Sequence, residues 1–566
     1  AGTDWIDIDS YDPDFYDIGM FSADELLNNG NNLVSYYGFD HTGKKLTSKP
    51  TFDDFFTERD EFGNFTRKIG AFEPIYIAGY IQDEFTFKDL IFRIGVRVDR
   101  FDANQKVLKD PYLLYEAYTA GEITTINGDP VNHPSNIGSS AVVYVNDVQN
   151  PSAIVGYREG SVWFDGQGTE ISDPSILRTG TGIAPYLIDP DQEVISSGAF
   201  KDYVPQVNVM PRISFSFPIS DNALFYANYD VLTQRPSTGN RLDLIDYLYL
   251  ENQTSRINNP DLKPETTIEY AIGFKQTIGK RSAIELNGFY REMRNQIATV
   301  RVTEAFPRTY TTLGNLDFGT VKGLTVSYDL RRTKNLSMRL AYTLQFADGT
   351  GSSIETGVNL VNAGFDNLRV IQPLDFDQRH NIVVSADYRF GSGKNYNGPK
   401  TVTKGGKTIN WLQNFGVNAI IRAGSGNPYT RQSNTTGTAL GIGTPFTEGS
   451  INGSSRPWQF RVDMRVDKDI TIKWTKGKEG GKPAKSSNLN IYVDIQNLLN
   501  TQNILGVYRK TGNPADDGFL NAAEHQPTIQ SQTDEQSFRD LYAVAVNNPF
   551  NFSLPRRIRL GLLLNF

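Results

Sequence analysis

From Pro74 onward the chain is a succession of short segments in which apolar and polar residues alternate one by one. Phe92, Ile94, Val96 and Val98 oppose Arg93, Gly95, Arg97 and Asp99, and Leu324, Val326, Tyr328 and Leu330 oppose Thr325, Ser327, Asp329 and Arg331. Leu336, Met338, Leu340, Tyr342 and Leu344 oppose Ser337, Arg339, Ala341, Thr343 and Gln345; Phe460, Val462, Met464 and Val466 oppose Arg461, Asp463, Arg465 and Asp467. In the last segment Ile558, Leu560, Leu562, Leu564 and Phe566 oppose Arg557, Arg559 and Asn565. Strand side chains repeat every two residues, so each segment offers one face to an apolar medium and one to water.

A half-exposed soluble sheet has the same alternation, and loop lengths separate the two cases. Thirteen strands are predicted, beginning near residues 74, 90, 206, 223, 265, 282, 321, 335, 380, 412, 458, 487 and 555. Short connections, such as Lys88-Asp89 and Gly279-Lys280-Arg281, alternate with long ones near 103–205, 234–264, 297–320, 349–379, 425–457 and 501–554. Outer-membrane barrels have short periplasmic turns and longer external loops. The predicted fold is therefore all-β, a transmembrane antiparallel barrel wall over 74–566, with 1–73 an external loop region. Within that region Ser22-Ala23-Asp24-Glu25 has capping-box spacing and predicts a short helix at Leu26. Two inner connections, 391–410 and 473–487, are longer and rich in Gly and Lys, which predicts mobility. Neighbouring strands of a closed antiparallel barrel run oppositely, so an odd set cannot close alone. The thirteen strands are expected to be the carboxy-terminal part of a larger barrel, with Phe566, an aromatic strand end, as its assembly signal.

Composition changes this picture little. The chain has 566 residues and is 39% hydrophobic, with a mean hydropathy of -0.41. No apolar run approaches the roughly 20 residues of a membrane helix, but a barrel strand needs only about 9–11 and shows lipid every second residue. The 28 Tyr and 34 Phe suit interfacial aromatic girdles. No cysteine is present, which excludes disulfides and thiolate metal sites. A net charge of -8 without a basic patch gives no support to nucleic-acid binding.

The candidate functional residues are the charges on the water face: Arg93, Arg97, Asp99, Arg339, Arg461, Asp463, Arg465, Asp467, Arg557 and Arg559. They are placed to pair with a plug or line a substrate path, although any wet lumen is polar. In the last long loop Asn513, Asp517, Asn521 and Glu524 fall at positions one, five, nine and twelve of a Ca²⁺ loop, with Gly518 at six and the Phe519 carbonyl at seven. Ala515 at position three supplies no ligand, and Asp-Asp-Gly is also an ordinary turn signal. Asp4, Asp7, Asp9, Asp12, Asp14 and Asp17 alternate with Trp5, Tyr11, Phe15 and Tyr16, a pattern suited to a sugar, a cation or a partner protein, and equally to a solvated acidic loop. Catalysis finds little footing, because His41, His133, His380 and His525 lack ligand spacing and no nucleophile elbow or phosphate loop is present.

The segment Asn259-Pro260-Asp261-Leu262-Lys263-Pro264-Glu265 resembles a strand opening of TonB-dependent transporters. Pro373–His380, Val493–Asn500 and the closing Arg556–Phe566 resemble late barrel strands of that family, so the likeness covers about 206–566. "GMFSADELLNNG", "YIAGYIQDEF" and "GVRVDRFDANQ" resemble the Oar-like receptors of Bacteroidota. The resemblance implies a 22-stranded barrel with an amino-terminal plug and a TonB complex as energy-coupling partner, in the outer membrane of a Gram-negative bacterium. The implied function is active import of a nutrient captured by external loops, with no resident cofactor beyond the possible calcium. The alternative is a noncatalytic barrel subunit of an outer-membrane assembly, holding partner proteins or a surface lipoprotein.

Overall fold

The computed structural model describes residues 12, 17–180, 182–363, 365, 369–473 and 486–565. Thirteen long strands form one antiparallel sheet in strict chain order. They are β1 (Ile75–Phe87), β2 (Leu90–Asp102), β3 (Gln206–Ser220), β4 (Ala223–Gln234), β5 (Glu265–Ile278), β6 (Ser282–Val302), β7 (Tyr310–Thr333), β8 (Leu336–Gly349), β9 (His380–Arg389), β10 (Phe415–Gly424), β11 (Gln459–Lys473), β12 (Ser486–Gln496) and β13 (Arg557–Asn565). Among the described residues β1 pairs only with β2 and β13 only with β12, so the sheet is open. With thirteen strands its two edges run in the same direction and cannot join as antiparallel neighbours.

One predicted boundary moves substantially. β7 begins at Tyr310 and β6 runs to Val302, so most of the expected loop 297–320 is a paired ribbon closed by 303–309. Thr299 pairs with Leu313 and Val302 with Tyr310, residues that favour extended structure. Register shifts between Met293, Gln296 and Ile297 mark bulges. Bulges reset the alternation, which removes the period-two signal at this point. In the connection 390–414, Lys400–Val402 pairs with Thr408–Asn410 as a small hairpin.

The apolar face carries two aromatic ladders. Phe85, Phe92, Phe215 and Phe225 run across β1 to β4 near the short turns, with successive centroids 5.2, 6.0 and 5.6 Å apart. Tyr229, Tyr270 and Tyr290 continue at 5.1 and 6.1 Å, farther from those turns. Each ladder puts ring against ring on neighbouring strands, a pairing that stabilises a sheet and forms the girdles of a membrane barrel.

At the long-loop end the connections fold onto one another. Leu27, Tyr36 and Phe55 share a single core with Leu114, Leu187 and Phe200 of the 103–205 connection, with Leu244, Leu248 and Ile257 of 235–264, and with Tyr310 of β7. The 103–205 connection adds a four-stranded sheet, Val142–Val145, Ile154–Glu159, Val162–Asp165 and Glu170–Ile171. Inside it the buried Arg158 is bound by Tyr144 Oη at 2.9 Å and by Asp110, and its guanidinium lies over the Tyr112 and Trp163 rings. The capping box is formed: Ser22 N–H donates to Glu25 Oε2 at 2.7 Å and Glu25 N–H to Ser22 Oγ at 3.4 Å. The Ser22 N–H and the Ser22 hydroxyl, both donating to the Glu25 carboxylate, hold it below its ordinary range. The helix spans Ala23–Leu27, starting three residues before the expected Leu26.

Candidate functional site

Register places all ten candidate charges on one side of the sheet. Arg93 faces Ser214, which faces Asn228, then Ala271, Phe289, Gly323 and Gln345 in turn. Arg339, six residues before Gln345 and so on the same face of β8, opposes Ser385, then Ile420 and Asp463; Arg465 opposes Asp494 and then Arg559. Directly opposed residues of an antiparallel ladder point to the same side, so the charges line one continuous polar wall.

Most of these charges are partnered within that wall. Arg93 Nε donates to Glu84 at 2.6 Å and Arg339 Nε to Asp329 at 2.7 Å, and Arg97 Nε forms an ion pair with Asp99 at 2.7 Å. Asp463 takes Arg461 at 2.7 Å and Arg422 at 2.9 Å. Asp467 is gripped by both ends of the Arg389 fork, at 2.9 and 2.6 Å, and its side chain is only 7% exposed. The Arg465 guanidinium lies 3.9 Å over the Tyr492 ring. Arg557 and Arg559 have no ion-pair partner among the described residues. Exposed pairs of this kind contribute little stability each, about 0–1 kcal/mol, and so leave the wall's charges able to exchange partners. Asp467 is the most buried carboxylate among them, although its partner Arg389 is 32% exposed. Phe566 lies outside the described residues, as do Asp4, Asp7, Asp9, Asp14, Trp5, Tyr11, Phe15 and Tyr16. Asp17 caps a short turn by accepting from Gly19 N–H at 2.8 Å.

In the last connection the proposed calcium oxygens serve the fold. Asp517 is 3% exposed; its Oδ1 accepts from Phe519 N–H at 3.0 Å, and its Oδ2 accepts from Tyr542 Oη at 2.6 Å and Thr438 N–H at 3.1 Å. Asn513 Oδ1 accepts from Ala515 N–H at 2.9 Å, closing a turn. The Phe519 ring is stacked between His525 and Tyr542, at 4.4 and 4.8 Å. Among the described residues no three His, Asp or Glu side chains are placed to hold one metal ion, Glu524 included, and Asn521 has no special position beyond a short helical turn. A tyrosine 25 residues farther along the chain thus bonds the Asp517 carboxylate.

Three of the four histidines have separate surroundings: His133 bonds Tyr157 Oη and the Ile123 carbonyl, His380 stacks between Tyr342 and Trp458, and His525 lies on Phe519.

A sequence model of the family described as TonB dependent receptor-like, beta-barrel matches residues 3–498. The chain belongs to this family. Among curated proteins there is no match. Three solved structures illustrate what this TonB-dependent receptor barrel resembles. The ferric-catecholate import receptor Fiu of E. coli K12 is 13% identical, covers 79% of this chain and 45% of its own, and has a TM-score of 0.38. FpvA of P. aeruginosa, bound to a heterologous pyoverdine, is 10% identical over 87% of this chain and 48% of its own, with a TM-score of 0.37. The Serratia marcescens hemophore receptor HasR, with its hemophore and heme, is 12% identical over 76% and 49%, with a TM-score of 0.36. The chain thus spans about half the length of these proteins.

Within the receptor barrel, sequence reading missed the partners Glu84, Asp329, Arg389 and Arg422. Glu84, Asp329 and Arg422 lie on strands next to their partners', whereas Arg389 on β9 reaches Asp467 on β11 across Gly416 of β10, and only the register tells which opposite charge is in reach. A scan for opposite charges on successive predicted strands would have found Glu84 with Arg93 and Asp329 with Arg339.

Proposed function

We propose that this chain is the loop-bearing part of an outer-membrane TonB-dependent importer, in which the external loops capture a nutrient and the charged wall meets a plug and the moving substrate. The observation that supports the reading best is the shared core of the external connections. Loops this long are usually functional or disordered, and these pack residues from four separate chain segments into one folded cap. Binding residues are commonly carried on loops held by a rigid scaffold. A cap above a polar wall suits capture followed by passage; it needs no catalytic group, and energy would come through a TonB complex. The Oar-like motifs and a Bacteroidota source belong to the same reading and rest on the residues quoted above. Deleting TonB in the native host, with the full-length protein present, should abolish uptake of its nutrient while leaving surface binding intact. Uptake that continues without TonB would refute the proposal.

The scaffold alternative, a barrel subunit holding partner proteins or a surface lipoprotein, draws on one feature. Leu541, Val544 and Phe550 in the last connection are 68%, 74% and 86% exposed. Large exposed apolar side chains close together suit a protein contact. A stoichiometric partner that is lost on Leu541→Asp would favour this reading.

A further inference from the structure

Segments 49–72, 102–106, 202–203 and 241–244 of the external cap enclose a cavity of about 440 Å³. That volume lies within the range of small-molecule sites. Three lysines line it, and each already has a carboxylate: Lys49 with Glu73 at 3.0 Å, Lys68 with Glu58 at 2.6 Å and Lys106 with Asp202 at 2.8 Å. Phe52, Phe72 and Leu244 supply apolar lining.

Arg241 differs from these lysines. Its guanidinium is stacked 3.4 Å from the centroid of the Tyr37 ring, and it has no carboxylate partner among the described residues. Its Nε is buried without a hydrogen-bond acceptor. The position is built rather than incidental, because the Gln105 side chain clasps the backbone on both sides of it. Gln105 Oε1 accepts from Leu242 N–H at 2.9 Å, and Gln105 Nε2 donates to the Asn240 carbonyl at 2.7 Å. Tyr203 lines the same cavity, is 5% exposed, and its hydroxyl also lacks a partner. Burial first, then the charges of Asp261 and Asp102, push its pKa up to about 12, so near neutral pH it remains a donor. Buried polar groups in folded proteins are nearly always bonded, and these two donors, on residues that line one cavity, have no acceptor among the described residues.

The charge around them selects the acceptor's type. A guanidinium fork matches a carboxylate in two parallel hydrogen bonds. Asp102 and Asp202 line the same space and repel a second negative charge, which disfavours a phosphate dianion. We propose that this cavity binds a small organic carboxylate with an aromatic or apolar body, its carboxylate on Arg241 and Tyr203 and its body against Phe52, Phe72 and Leu244. The inference deepens the capture reading above and shares its premise that the cap takes up a ligand.

The test is saturation-transfer NMR on the purified chain in detergent, with N-acetyl-L-phenylalanine as probe and N-acetyl-L-phenylalaninamide as its uncharged counterpart. The acid should bind at millimolar concentration or better, and the amide at least tenfold more weakly. Arg241→Gln should weaken the acid about tenfold or more and leave the amide unchanged; Tyr203→Phe should weaken it about threefold. Arg241→Lys retains the charge without the fork and should fall between wild type and Arg241→Gln, which separates recognition from misfolding. Equal binding of acid and amide, no transfer to either probe, or indifference to both Arg241 variants would overturn the proposal. Binding needs no TonB, so a chain that binds the acid but whose full-length protein takes up nutrient without TonB would sink the transport reading alone.

Discussion

Replacing Asp517 by alanine removes an acceptor that three donors share inside the last external connection: Tyr542 Oη, Thr438 N–H and Phe519 N–H. A hydrogen bond to a charged group contributes about 1.5–3 kcal/mol, and bonds to one carboxylate are not additive. The local cost is therefore about 3–5 kcal/mol, or about 10²- to 10⁴-fold in the population of the opened loop. Tyr542→Phe removes one of the three and should cost about 1.5–3 kcal/mol, roughly ten- to a hundredfold. Hydrogen exchange of peptides covering Gln526–Gln530 and Glu535–Val546 reads this directly, since those helices pack on Phe519 through Ile529, Tyr542 and Val546. Exchange should accelerate in the order wild type, Tyr542→Phe, Asp517→Ala, with β-strand peptides unchanged. Unchanged protection in Asp517→Ala refutes the reasoning. So does wild-type protection that collapses in EDTA and returns with millimolar calcium, because Asp517 would then be serving a metal.

Three further outcomes are expected. Burial and the neighbouring Asp243 push the Asp246 carboxyl up to about 7. A folded-state pKa raised above the unfolded one stabilises the fold fully below the unfolded value, and that contribution is lost as pH rises through about 7, at about 1.4 kcal/mol per unit of difference. Protease resistance of 235–264 should thus fall between pH 5 and 8, and Asp246→Asn should flatten the profile and protect at pH 8; a steeper profile in the variant contradicts this. A Cβ on Gly561 would overlap the Tyr492 ring, so Gly561→Val should destabilise the fold by about 1–3 kcal/mol, read as a lower thermal midpoint, whereas Gly561→Val in a Tyr492→Ala background should cost much less. Arg389→Ala removes two of the donors to Asp467 and should destabilise the fold by about 1–3 kcal/mol, read as a lower urea midpoint, with Arg389→Lys recovering only part; an unchanged midpoint would mean that water and Asn490 replace the fork at no cost.

Alternation alone located the strands. Period-two patterning is a local property, written in residues such as Phe92–Asp99 and Phe460–Asp467, so both the strand starts and the polar face were legible without any contact. Parity of the strands made an open sheet the expectation, and the sheet is open. Where a bulge reset the pattern, at Met293 to Ile297, the local signal failed and the ribbon that runs on to Tyr310 was missed. The pairing of Arg93 with Glu84 depends on the register of one hairpin, and that of Arg389 with Asp467 on the registers of three successive strands with Gly416 between them. The cap core, the bond between Tyr542 and Asp517, and the orphaned donors of Arg241 and Tyr203 all involve segments far apart in the chain. Such contacts are decided by which surfaces bury each other, and spacing along a sequence carries no record of that.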